Sequence, residues 1–214
     1  MMTRIKICGL TRPEDVLAVV DGGADALGFV FYPPSKRYVT PEQAGALRAL
    51  VPPFVTVVAL FVNPVRTEVE AVLREVRPHL LQFHGDESAQ ECMSYGHPWL
   101  KALRVPKEGG VTGESLARQM QDYARADGCL LDTDSPGYGG SGTVFDHGLL
   151  DGWKEENRRR LILSGGLNEG NIGAAIQRVR PVAVDVSSGV EDAPGIKNAL
   201  KIRRFIEAVR AAQA

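Results

Sequence analysis

Eight short apolar runs, each of strand length and separated by segments of helical length, constrain this chain more than any other feature of it. The runs fall at 5–8, 26–31, 55–61, 80–83, 100–105, 129–132, 161–164 and 182–186. Most are apolar on both faces, the pattern of parallel strands covered on two sides rather than of half-exposed antiparallel ones. Strand and helix signals alternate strictly, which implies parallel pairing through right-handed crossovers. Eight such units predict an α/β fold with a closed, eight-stranded parallel sheet, a (β/α)8 barrel. An open doubly wound sheet is the architectural rival.

Helix-start signals support the count. Thr11 with Glu14 and Thr40 with Gln43 each read as a capping box, the second with Pro41 at the first helical position. In the last segment Ala199, Ile202, Ile206 and Val209 recur at three- and four-residue steps, predicting a terminal helix docked by one apolar stripe. The sixth unit is the weakest, because "FDHGLLDGWKEENRRR" offers a short helix and then a charged connection that reads as a solvated face. No Pro-, Ser- or Gly-rich linker divides the chain. With 44% hydrophobic residues in 214, residues 1–214 are expected to form one domain around one core.

Charge narrows the partners. The 25 basic and 26 acidic residues are mixed along the chain for a net charge of -1, which leaves no electrostatic footprint for nucleic acid or an anionic membrane and favours a small-molecule ligand. Cys8, Cys92 and Cys129 show no paired spacing, as expected of a protein kept in a reducing cytoplasm. The start "MMTRIKICGL" lacks a long apolar segment, and no stretch approaches the about 18 apolar residues that span a bilayer. His79, His84, His97 and His147 form no metal-binding spacing, so no metal is expected. Periodicity does not separate exposed apolar faces from barrel-packing ones, so monomer and homodimer both stand.

Reactive side chains sit where apolar runs stop. Cys8 in "RIKICGLT" and Asp132 in "CLLDTDSPGYGGSG" each end a run just before a Gly-bearing loop. In barrels of this kind chemistry gathers at the carboxyl ends of the strands, so residues far apart in sequence can share one pocket. A lone Cys most often serves as a small buried hydrophobe. Asp132 can equally cap its loop, although a carboxylate beside Cys129, Leu130 and Leu131 is costly if buried without a partner. Together they form a candidate acid/base pair.

Two loops near the C-terminus suit an anion. After the seventh run, "SGGLNEGN" supplies Gly165 and Gly166, which free the backbone, and Asn168, read as a cap for the following helix. After the eighth, "DVSSGVEDAPG" supplies Ser187, Ser188 and Gly189, and "GVED" reads as a short extra turn. A phosphate site commonly forms between these two loops in a (β/α)8 barrel. Basic side chains are nearly absent here, Lys197 excepted, so amides and helix dipoles would do the holding. The glycines Gly137, Gly139 and Gly142 of "GYGGSG" match a dinucleotide fingerprint, but neither flank suits it: Thr133 to Pro136 intervene before them and "TVFDH" follows. A mobile loop is expected instead.

Taken in order, "KICGLT", "GFVFYPPSKRYVTPEQA", "LFVN", "LQFHGDE", "LLDT" with "GGSGTVFD", "LSGGLNEGN" and "DVSSGVEDAPGIKN" resemble the phosphoribosylanthranilate isomerase family, from the first strand to the last helix. The resemblance implies a TIM barrel that performs the Amadori rearrangement of N-(5-phosphoribosyl)anthranilate to 1-(2-carboxyphenylamino)-1-deoxy-D-ribulose 5-phosphate in tryptophan biosynthesis, without a cofactor. By motif it implies Cys8 as general base, Asp132 as general acid, Arg37 as partner of the anthranilate carboxylate, and Asp185 beside the reacting sugar. Gly165, Gly166, Ser188 and Gly189 fall in its phosphate-binding blocks. Asp134 adds an acidic residue to the sixth loop.

The chemistry of the residues agrees with those roles. Opening an aminosugar ring needs a proton at the ring oxygen, which a carboxylic acid of raised pKa supplies at neutral pH. The resulting iminium acidifies the C2 hydrogen, which a thiolate can remove. A thiol titrating near 8.5 needs positive surroundings for that, and Lys6 is read as pointing away from the pocket, which leaves the activating group unassigned. His84 has two readings, substrate contact and satisfied structural histidine. The rival functions are the histidine-pathway sugar isomerase, which would want a second phosphate loop where "LFVNPVRT" stands and an aspartate where Cys8 stands, and a non-catalytic phosphosugar-binding barrel.

Overall fold

The structure, a computed structural model, describes residues 2–106, 109–133 and 144–213. Its eight main strands are β1 (Arg4–Cys8), β2 (Ala26–Val30), β3 (Thr56–Phe61), β4 (Leu80–Phe83), β5 (Trp99–Val105), β6 (Gly128–Thr133), β7 (Leu161–Leu163) and β8 (Ala183–Val186). Every expected strand end lies within one residue of the observed one. The strands run parallel in chain order, and β1 pairs with β8 through Arg4↔Ala183 to Ile7↔Val186, which closes the barrel. No open sheet edge remains there, so the doubly wound alternative is excluded.

Alternation along each strand sorts side chains into two layers. Val58, Leu100, Ala102, Leu130 and Ile162, with Leu80 and Ala183, fill the barrel interior. Residues of opposite parity, among them Leu27, Phe61, Phe83, Leu131 and Leu163, face the helices. Stacked rings of Phe31, Phe61, Phe83 and Tyr95, with centroids 5.4, 6.3 and 5.5 Å apart in that order, run across one side of that outer layer.

The helices are α1 (Pro13–Gly22), α2 (Pro41–Arg48), α3 (Arg66–Glu75), α4 (Ala89–Met93), α5 (Gly113–Asp122), α6 (Glu155–Arg158), α7 (Ile172–Val179) and α8 (Ala199–Ala211). Thr40 caps α2 with its capping box to Gln43 complete and Pro41 at the first turn. The reading at Thr11 is corrected, since α1 starts from Arg12 with no side-chain cap. Thr11 Oγ1 donates instead to the carbonyl of Gly195, 2.6 Å away, in the hairpin of β9 (Glu191–Ala193) and β10 (Ile196–Lys197). Only the folded chain brings that competing acceptor within reach. The sixth unit is short, as expected: a 3-10 turn over His147–Leu150 and then the one-turn α6, which buries nothing.

The terminal helix α8 buries Ile202, Phe205, Ile206 and Val209, whereas Ala199 at its first turn is exposed. It packs on α1 and α7. The backbone N–H of Thr3 donates to Gln213 Oε1 at 2.8 Å, tying the start of the chain to its end. Among the described residues no helix is long and apolar enough to cross a membrane.

Candidate active site

At the carboxyl ends of the strands, interior positions turn polar one step beyond the aliphatic layer: Leu130 gives way to Asp132, Ile162 to Ser164, Ala183 to Asp185. Two-residue spacing keeps each polar group on the inward face, at the mouth of the barrel. Cys8, Arg37, His84, Asp132, Gly165, Gly166, Asp185, Ser187 and Ser188 all line one pocket there, with Tyr32, Ser35 and Leu60 among its walls.

Cys8 ends β1 against Gly28 of β2, where a β-carbon would fall 2.8 Å from the Cys8 Sγ and 3.3 Å from the Lys6 Nζ. A residue without a side chain is what makes room for thiol and ammonium together. Lys6 stands two residues before Cys8 and therefore on the same face, so the reading that it points away is corrected. It is 4% exposed, and its Nζ donates to Asp185 Oδ2 at 2.8 Å across the β1–β8 pairing. Burial alone would lower the Lys6 pKa, but Asp185 and Cys8 outweigh it and hold the ammonium above its ordinary value. Burial also pushes the Cys8 thiol up, against the opposing pull of Lys6 and, more weakly, Lys197. The second Asp185 oxygen, Oδ1, is buried without a hydrogen-bond partner among the described residues.

Across the pocket, Asp132 Oδ2 lies 3.2 Å from Nε2 of His84, which follows directly on β4. The other ring nitrogen, Nδ1, lies 3.2 Å from Nε2 of Gln82. Arg37 reaches the rim from the loop after β2, and its Nε and Nη2 donate to both oxygens of Glu191 at 2.8 and 2.7 Å. Glu191 also accepts from Lys197 Nζ at 2.7 Å, and Lys197 donates to Ser187 O and Oγ, each at 3.1 Å. Burial would raise the Glu191 carboxyl, but the two cations hold it below its usual value, while burial lowers the Lys197 pKa.

The loops after β7 and β8 meet. Gly165 and Gly166 adopt φ of 87° and 64°, the left-handed region that strains any residue with a β-carbon. A β-carbon on Gly165 would also fall 2.4 Å from Thr133 Oγ1 and 3.0 Å from Asp132 Oδ1. Asn168 and Asn171 both donate to the Gly166 carbonyl, at 3.4 and 2.9 Å. Asn168 does not cap α7: the residue at that cap is Asn171, and Asn168 Oδ1 accepts instead from Gly170 N within the turn. The expected short extra turn is a 3-10 turn over Ser188–Val190. Gly189 does not line the pocket, for it packs so tightly that a β-carbon there would lie 1.9 Å from the carbonyl oxygen of Leu167.

Lys6, Gly28, Gln82 and Glu191 escaped the reading of the sequence as site residues. Lys6 and Gln82 did carry a signal, being polar residues inside apolar strands two positions before Cys8 and His84. Nothing local marks Gly28 or Glu191. Asp134 and the glycines Gly137, Gly139 and Gly142 of the sixth loop lie outside the described residues. Among the described residues no cluster of His, Cys, Asp and Glu is placed to hold a metal ion.

With this geometry in view, similarity to known proteins is informative. The family model of N-(5'phosphoribosyl)anthranilate (PRA) isomerase matches residues 5–208. The N-(5'-phosphoribosyl)anthranilate isomerase of Bordetella petrii is 57% identical over 213 residues, covering 99% of this chain and 97% of that protein. The crystal structure of phosphoribosyl anthranilate isomerase from Thermotoga maritima superposes with a TM-score of 0.87 at 42% identity, over 98% of this chain and 100% of that one. A second structure of such an isomerase, in complex with reduced 1-(o-carboxyphenylamino)-1-deoxyribulose 5-phosphate, superposes with a TM-score of 0.84 at 40% identity, over 98% and 100%.

Proposed function

Because the chain belongs to the N-(5'-phosphoribosyl)anthranilate isomerase family, we propose that it rearranges N-(5-phosphoribosyl)anthranilate to 1-(2-carboxyphenylamino)-1-deoxy-D-ribulose 5-phosphate, with Asp132 as general acid and Cys8 as general base. One observation carries this assignment of roles. Around the rim Asp132 on β6 and Cys8 on β1 are separated by β7 and β8, whose glycine and serine loops line the same pocket and are suited to an anion. A phosphate bound there places the attached pentose between the two reactive groups.

The steps follow from that placement. Asp132 donates its proton to the ring oxygen and the C1–O bond opens to an iminium. Cys8 then removes the C2 proton, the C–H pair forms the C1–C2 double bond while the C1=N pair returns to nitrogen to give an enolamine, and tautomerisation, loss of the C2 hydroxyl proton and protonation of C1, gives the ketone. The proton given by Asp132 is matched by the one Cys8 takes up, proton exchange with solvent resets both groups, and substrate and product are isomers, so electrons balance without a redox partner. Arg37, clamped on one edge by Glu191, offers its other edge to the anthranilate carboxylate, a match of planar fork to carboxylate. Asp185 lines the same pocket, and its Oδ1, without a partner among the described residues, is left to accept from a sugar hydroxyl. Lys6 is the positive neighbour of Cys8: it pulls the thiol toward the thiolate that a base requires, against a burial effect that on balance still holds the thiol above its ordinary value.

Turnover of freshly generated phosphoribosylanthranilate by the folded wild type, Cys8→Ser and Asp132→Asn tests the reading. General acid and general base each contribute about 10²–10⁴-fold, so losses of that order are expected in both variants. Variants close to wild type would overturn the residue roles. An inactive, folded wild type would overturn the activity itself and direct attention to the histidine-pathway substrate.

A further inference from the structure

Gln82 has no exposed surface. It projects between Leu60 of β3 and Leu100 of β5, its aliphatic register partners, beside the aliphatic layer that fills the barrel interior. An amide in such surroundings is costly unless its hydrogen-bonding groups are engaged. Only one end of it is: Nε2 lies 3.2 Å from His84 Nδ1, while Oε1 is buried with no partner among the described residues. A leucine would fill the same space without that cost, so the amide is better explained by what its one contact does than by packing.

What it does is read from the chain Gln82–His84–Asp132. If the amide N–H donates to Nδ1, that nitrogen must be bare, and a neutral imidazole then carries its proton on Nε2. Nε2 faces Asp132 Oδ2 at 3.2 Å. Oδ2 is thereby an acceptor, and a proton on the Asp132 carboxyl is confined to Oδ1, the oxygen that lies beside Gly165 of the phosphate loop. The geometry points to Gln82 and His84 as positioning residues that fix the proton of Asp132 on Oδ1, the oxygen beside Gly165 in the pocket wall. After Asp132 has given that proton to the ring oxygen, the same Nε2–H stabilises the carboxylate left behind. The inference rests on Asp132 being the general acid, and it adds the device that orients it. His84 thus acts on the substrate through Asp132.

The test has a part that needs no variant of Gln82. In the wild-type protein the imidazole ¹H–¹⁵N spectrum, with His84 assigned by its disappearance in His84→Asn, is expected to show Nε2 protonated and Nδ1 bare. A proton on Nδ1, alone or together with Nε2, would reverse the chain and overturn the inference. Gln82→Leu, with Gln82→Met as a second replacement should leucine disturb folding, is expected to mix the two tautomers and to lower kcat by more than about tenfold, within the range of general-acid contributions. KM is expected to change little, and thermal stability to hold or rise. In a His84→Asn background the Gln82 replacement is expected to cost nothing further, because both act along one chain. An unchanged kcat in Gln82→Leu, or a full additive loss in the double variant, would overturn the inference. Asp132→Asn separates the two readings: if it retains turnover, the acid assignment fails; if it is nearly inactive while Gln82→Leu matches wild type, only the positioning role fails.

Discussion

At Cys8 burial and charge oppose each other, and Lys6 is where the balance can be moved. Burial raises the thiol pKa while the ammonium of Lys6 lowers it, with Asp185 raising it and Lys197 lowering it. A base whose pKa is raised works better as pH rises, so kcat/KM is expected to climb on the alkaline side. Lys6→Met should shift that climb to higher pH, as a pH–rate profile will show; an unmoved profile would contradict the role. The same replacement strands the Asp185 carboxylate in the interior, which costs about 3–5 kcal/mol in comparable buried pairs and is measurable by denaturant unfolding. Cys8 and Asp132 were visible as residues of the right type at run ends, whereas Arg37 and Asp185 were expected only through the family resemblance. Lys6 was misjudged because its strand is apolar on both faces, so the sequence did not display which parity faces inward.

At the scale of elements, strands were readable and several loop contacts were not. A buried parallel strand announces itself by composition alone, and Thr40 with Pro41 and Gln43 announces a helix start because every partner lies within three residues. Thr11 carries the same local signal but meets the Gly195 carbonyl, 184 residues away, and bonds to it instead. Gly189 is a similar case, since its sequence context suggests phosphate contact, whereas the structure assigns it the close approach between the β7 and β8 loops. Gly189→Ala is therefore expected to push these loops apart. If these loops hold phosphate as proposed, inorganic phosphate should inhibit the variant about tenfold less tightly, and KM for the substrate should rise with it, a loss of about 1.4 kcal/mol in binding. Unchanged phosphate inhibition would show that the loops accommodate the methyl group.

For the whole molecule, closure is the decisive event. Pairing of β1 with β8 and packing of α8 on α1 join the two ends of the chain, so no strand pair at the seam is local in sequence. Phe205, fully buried in α8 at that seam, should report on closure. Phe205→Ala is expected to destabilise the fold by about 3–5 kcal/mol, the usual range for such a truncation, read as a lower unfolding midpoint in denaturant. A shift well under that range would mean that the seam contributes little. Which segments are strands, which are helices and in what order they alternate follow from side chains acting on their own neighbours, and the residues alone disclosed them. Which side chains share the pocket, that Lys6 and Gln82 face inward, and that Glu191 rather than solvent meets Arg37 follow from closure of the barrel, because those contacts join residues up to 179 positions apart that no local pattern relates.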